Sequence, residues 1–249
     1  MNAARRERRW GLFAGACGLL AVVATIAAVP VAASDTLQAR GRPDDLSFLV
    51  SVGQSGAGQI AALALRLAGA ALVIPLAWFY FAATHRRAPE HRAWVPVLAT
   101  TALVVLAAST AIGFFEIGAV ARDFVAHGPH TPDQATHVLR EARGHGLLRA
   151  ANLTNIGGSL LLGIWLSIAS FEAMRVGLVT RFLGFYGVAT GLATAITFPA
   201  APALQAAWFG SLAILALGWW PGGRPAAWAT GQAEPRDQLP ETRGAHGHS

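Results

Sequence analysis

Six long apolar runs divide the chain, and the arginines, acids and most prolines collect between them. The runs cover 10–33, 58–83, 94–117, 150–171, 182–198 and 203–220. A helix that crosses a bilayer needs roughly 20 mostly apolar residues, about 17 to 25, and each run falls in or near that range. The pattern predicts an all-α protein, a polytopic integral membrane bundle of about six transmembrane helices over 1–220. The last two runs are the shortest, and Pro199-Ala200-Ala201-Pro202 joins them. Proline lacks an N–H and disfavours helix in the residue before it, so a tight hairpin is expected there. Pro75, in the middle of the second run, should kink its helix.

The first run follows a cluster of arginines and ends on Val31-Ala32-Ala33-Ser34, a layout shared with cleaved secretory signals. It is longer than the usual apolar region of such signals, about 7 to 15 residues, and five more runs follow, so it is read as an uncleaved helix. The connection 118–149 has a pattern of its own. Thr131-Pro132-Asp133-Gln134 matches a capping box with proline at the first helical position. Ala135, Val138, Leu139 and Ala142 then recur at helical spacing, and Gly144 supplies a stop. One amphipathic helix is expected there, lying on the membrane surface or on the bundle.

Composition narrows the class further. Hydrophobic residues make up 54% and charged residues only 13%, about half the share in an ordinary soluble domain, and the mean hydropathy is +0.45. All 19 basic residues are arginine, and the net charge is +6. A basic pI also marks nucleic-acid binders, but those lack spanning runs, so no nucleic-acid partner is expected. Cytoplasmic connections are enriched in Lys and Arg. With the N-terminus inside, twelve arginines fall in cytoplasmic segments and six in outer ones. The expected location is the cell membrane, with both termini cytoplasmic and the amphipathic helix extracytoplasmic. Six acids balance the outer arginines, so the surplus charge faces the anionic headgroups of the cytoplasmic leaflet. The bilayer and those headgroups are the expected partners; a second copy or another membrane protein stays open. Residues 221–249, rich in Pro, Gly, Gln, Glu and His, lack apolar periodicity and read as a disordered cytoplasmic tail. The single cysteine, Cys17, rules out an intrachain disulfide and reads as a small packing residue.

Two charges interrupt the apolar runs, Arg66 in the second and Glu116 in the third. Counted from the cytoplasmic ends, their depths differ by about 6 Å at 1.5 Å per residue, within reach of an arginine side chain. Unpaired charges in the membrane are unfavourable, so an intramembrane ion pair is expected. It would serve either as a clamp between neighbouring helices or as part of an ion or substrate pathway. Asn152, Asn155 and Ser159 share one face of the fourth span at the same level, beside Gly157 and Gly158, which permit close helix approach. With Arg66 and Glu116 they would line an outward polar pocket, or act as hydrogen-bonding glue. In the outer connection His137 and Glu141 stand four apart, and with His130 or His127 they form a weak candidate zinc site that matches no established metal motif. Gly11 and Gly15 form a GxxxG that suits close packing or dimerisation.

The stretch Ala173-Met174-Arg175-Val176-Gly177-Leu178-Val179-Thr180-Arg181-Phe182-Leu183-Gly184, continuing to Gly187 and Gly191, resembles uncharacterised actinobacterial multi-pass integral membrane proteins. So do 220–228 and the end of the second run, Leu76 to Arg87. This resemblance implies the multi-pass architecture and carries no assigned activity, cofactor or catalytic residue. No nucleophile, base and orienting group stand in a recognisable arrangement. The expected function is therefore a non-enzymatic accessory or structural role through helix and lipid contacts, with no cofactor. Two alternatives stand beside it: a small-molecule or ion transporter using the outer polar pocket, and a membrane-embedded enzyme with an extracytoplasmic metal site.

Overall fold

A computed structural model describes residues 3–38, 45–54, 57–89, 93–127, 131–221 and 223–234. Among these residues every regular element is a helix: α1 (Ala3–Gln38), α2 (Asp45–Gln54), α3 (Ala57–Arg87), α4 (Trp94–Ala126), α5 (Pro132–Gly144), α6 (Gly146–Arg175), α7 (Arg181–Ala195), α8 (Ala201–Leu217) and α9 (Ala227–Thr230). Helices α1, α3, α4 and α6 are long and apolar enough to cross a membrane. They leave large apolar side chains uncovered, among them Phe13, Val23, Ile60, Val104, Phe115 and Leu153, as suits helices that face hydrocarbon rather than water. The runs expected as the fifth and sixth spans fold as α7 and α8, of 15 and 17 residues, shorter than those runs and than the four helices long enough to cross. The chain leaves α7 through Thr197, in the left-handed region at φ 52°, and enters α8 with proline in its first turn, which makes the expected hairpin. Tyr186 donates to the Leu204 carbonyl (3.2 Å) and Gln205 to Thr194 Oγ1 (2.8 Å) across it.

Small residues set how closely the helices pack. Gly11 and Gly15 are used within the chain: a Cβ on either would stand 3.3 or 3.0 Å from a carbonyl of α8. Between α6 and α7 the fit is tighter still, since a Cβ on Gly163 would lie 2.4 Å from the Gly191 carbonyl oxygen. The main core joins α1, α3, α4, α6, α7 and α8 around Leu76, Tyr80, Trp165, Leu166, Trp208 and Leu212. A second core, of Leu49, Ala121, Ala135 and Leu139, packs α2 and α5 against the end of α4. The Thr131 capping box forms as expected, with both reciprocal bonds to Gln134. Helix α2 was not expected. Its Leu46, Leu49, Val50 and Gly53 follow the helical period, and Gly53 sits against the backbone of Ala121, so this segment packs on α4.

The boundary of the ordered chain also moves. Residues 223–234, expected to be disordered, close one end of the bundle; 235–249 lie outside the described residues. The cause is tertiary. Arg87, buried at the end of α3, donates to the Ala227 carbonyl through Nε (3.1 Å) and Nη2 (2.8 Å), to the Ala83 carbonyl (2.9 Å) and to Glu7 (3.1 Å). Trp228 has the guanidinium groups of Arg87 and Arg224 within 5.5 Å of its ring centroid, stacks on Phe79, and donates to the Leu178 carbonyl. Burial pushes the Arg224 guanidinium below its ordinary value, and its donors bond the last carbonyls of α8 at Leu215 and Ala216. Glu7 and Ala227, from near the two ends of the described chain, thus meet at the same end of the bundle.

Candidate functional site

At the opposite end of the bundle, about 31 Å from Arg87 along α3 at 1.5 Å per residue, the helices part around a cavity of about 730 Å³. Periodicity explains who lines it. From α3 come Gln59, Ala62, Leu63 and Arg66, and from α6 Leu148, Ala151, Asn152 and Asn155, each set spaced i, i+3, i+4, i+7 on one helix face. From α4 come Ser109, Thr110, Gly113, Phe114 and Ile117; Val29, Phe48, Val52 and Arg143 complete the wall. Arg66, Asn152 and Arg143 are exposed, so the cavity is open. Asn155 donates to Ser109 Oγ at 3.3 Å, and Ser109 donates to the Leu106 carbonyl at 3.0 Å.

The structure brings together three of the five residues expected to form a polar pocket: Arg66, Asn152 and Asn155. Glu116 does not join them, and Arg66 and Glu116 form no ion pair among the described residues. The reason is azimuth. Glu116 sits on α4 at the expected level but about 90° around the helix from the centre of the cavity face, half-buried on its flank. Ser159 continues the α6 stripe one turn further and also stays outside. There α4 and α6 meet, with Leu106 2.9 Å from where a Cβ on Gly158 would stand, and this contact shuts the cavity above Ser159. Gly157 next to it meets nothing within 4 Å, so only one of the two glycines serves close packing.

Arg143, which sequence reading left among the loop charges, enters the wall from the last turn of α5. Its signal was its place one residue before the Gly144 stop, next to the start of α6. Among the described residues, two guanidinium groups therefore line the cavity and no carboxylate does.

No family model, curated protein or solved structure matches the chain.

What the cavity can do follows from its own side chains. It offers cationic and amide donors set among aliphatic and phenyl groups. Such a mixture, mostly apolar with a few placed polar groups, is that of a small-molecule site, and its volume lies within the usual range of roughly 300 to 1,000 Å³. The wall has hydroxyls at Ser109 and Thr110 but, among the described residues, no histidine or carboxylate to activate them. The zinc candidates stand elsewhere. His137 lies 3.7 Å from Glu141 and His127 3.3 Å from Asp123, all exposed, while His130 is outside the described residues. Among the described residues no three His, Cys, Asp or Glu side chains come together as a metal would require.

Proposed function

We propose that this chain is a six-span membrane protein with both termini in the cytoplasm, of the actinobacterial multi-pass kind that its 173–191 segment resembles. Its outward cavity binds a small molecule without transforming it. Helices α7 and α8, about 22 and 26 Å long at 1.5 Å per residue, cross as a hairpin, with local thinning of the bilayer taking up the mismatch. The arginine asymmetry supports placing the end with Glu7, Arg87 and Ala227 inside, where anionic headgroups neutralise its surplus charge. That orientation turns the cavity, α2 and α5 outward.

The observation that carries the binding reading is the open cavity itself, with Arg66, Arg143 and Asn152 set in an apolar wall and no base beside its hydroxyls among the described residues. It favours an accessory, ligand-holding role over catalysis. The transport alternative needs a path past the packed layer of Leu76, Tyr80, Trp165 and Trp208, so binding is the function the geometry supports best.

The test uses Cys17→Ala protein carrying Asp133→Cys or Asn152→Cys, labelled in intact cells with a membrane-impermeant maleimide. Asp133→Cys should react from outside in cells, and Asn152→Cys should react once bound lipid has been stripped in detergent. Reaction of Asp133→Cys only after lysis would overturn the orientation, and an Asn152→Cys that stays unreactive in the stripped protein would overturn the open cavity.

A further inference from the structure

The geometry points to an anionic membrane lipid as the molecule this cavity holds, its headgroup between Arg66 and Arg143 and its hydrocarbon along the apolar wall. This inference rests on the reading of the cavity as a binding site and names what binds there.

Arg66 is the first ground. It belongs to a helix apolar enough to cross a membrane, and it has neither an ion pair nor a hydrogen bond to any described residue. Intramembrane charges are held by partners or face a polar cavity, and Glu116, the acid expected to pair with it, is not among the lining residues. Among the described residues Arg66 thus faces the cavity without a counter-anion. Arg143 adds a second cation from α5, and among the described residues no acidic side chain lines the space to compete for either. Guanidinium groups bond phosphate and carboxylate oxygens through paired N–H donors, which favours an oxyanion over a halide. The Asn152 amide, exposed on the adjoining turn of α6, can donate to the same headgroup.

The remaining wall decides between a lipid and a free oxyanion. Phe48, Val52, Leu63, Phe114, Ile117 and Leu148 belong to the apolar part that makes up most of the wall. A small hydrated anion would leave this surface wet, whereas an acyl chain covers it and gains about 0.8 kcal/mol per buried methylene. Two guanidinium groups set in a mostly hydrocarbon wall match an amphiphile entering from the outer leaflet.

The experiment takes the full chain in a mild non-ionic detergent and counts retained lipid by native mass spectrometry. Dioleoylphosphatidylglycerol, dioleoylphosphatidylcholine and inorganic phosphate are the probes. The wild type should retain the phosphatidylglycerol at a concentration at least about tenfold below the phosphatidylcholine, the difference that charge-assisted hydrogen bonds supply. Arg66→Gln with Arg143→Gln should abolish that preference, and Arg66→Lys with Arg143→Lys should keep most of it, which separates charge from misfolding. Arg140→Gln, on α5 but outside the cavity, should leave it intact. Equal retention of the two lipids, or a preference that survives in the double glutamine variant, overturns the inference. Displacement of phosphatidylglycerol by millimolar inorganic phosphate would show a site for the free ion and overturn it too. In the Asn152→Cys protein, phosphatidylglycerol should slow maleimide labelling and phosphatidylcholine should not. A cysteine that reacts in every lipid without protection sinks the lipid assignment alone; one that never reacts sinks the binding site as well.

Discussion

Replacing Glu7 by glutamine removes the only carboxylate that the structure places on Arg87, and the size of the effect can be worked out from that guanidinium. The Arg87 side chain is 1% exposed and that of Glu7 18%, with 3.1 Å between them. Removing one member of a buried ion pair costs about 3–5 kcal/mol when the other is left uncompensated. Here Arg87 keeps three bonds to the carbonyls of Ala83 and Ala227 and the face of Trp228, and glutamine still offers an oxygen. The expected loss is therefore one charge-assisted bond, about 1.5–3 kcal/mol. At roughly 2–4 °C per kcal/mol for a chain of this size, Tm should fall by about 3 to 12 °C. Arg87→Met should lower it further, because the Ala227 carbonyl loses its donors and the 223–234 segment its anchor. Cys17 provides the assay: it is the only cysteine and is 7% exposed, so a thiol-reactive fluorophore reports unfolding in detergent directly. Arg86, whose side chain is 50% exposed and 3.4 Å from the same carboxylate, is the internal control, since exposed pairs contribute about 0–1 kcal/mol. If Glu7→Gln and Arg87→Met both melt within 1 °C of wild type, the reasoning about this end of the bundle is wrong.

Gly163→Ala should destabilise by at least about 2–3 kcal/mol, because its Cβ would stand 2.4 Å from the Gly191 carbonyl and the two backbones must part. Gly157→Ala, with nothing within 4 Å of the new methyl, should leave Tm unchanged or raise it slightly through helix propensity; the same thermal assay reads both. Asn155→Ala should cost about 1 kcal/mol through its bond to Ser109 and weaken lipid retention. Glu116→Gln, outside the cavity, should leave retention unchanged, and an equal loss in both would return Glu116 to the site.

The long helices were legible because uncharged length and 3.6-residue periodicity are properties of a segment alone. The same holds for the Thr131 cap, whose two bonds span three residues, and for the shared face of Asn152 and Asn155. Glu116 was misplaced because depth along a helix follows from counting, whereas azimuth depends on how α4 rotates against α3 and α6. Arg143 was missed because its position comes from the junction of α5 and α6 at Gly146, a glycine at φ 61° that turns one helix directly into the next. The ordered tail could not be read from 221–249 either. Its composition is that of a solvated segment, and what holds it is a guanidinium 140 residues earlier in the chain.

An experimental structure of the full chain in lipid nanodiscs containing phosphatidylglycerol tests the central claim most directly. The account predicts headgroup density contacting both Arg66 and Arg143, acyl density beside Leu63 and Phe114, and Glu116 turned away. An empty cavity with Arg66 within about 4 Å of the Glu116 carboxylate, the distance of an ion pair, would contradict it.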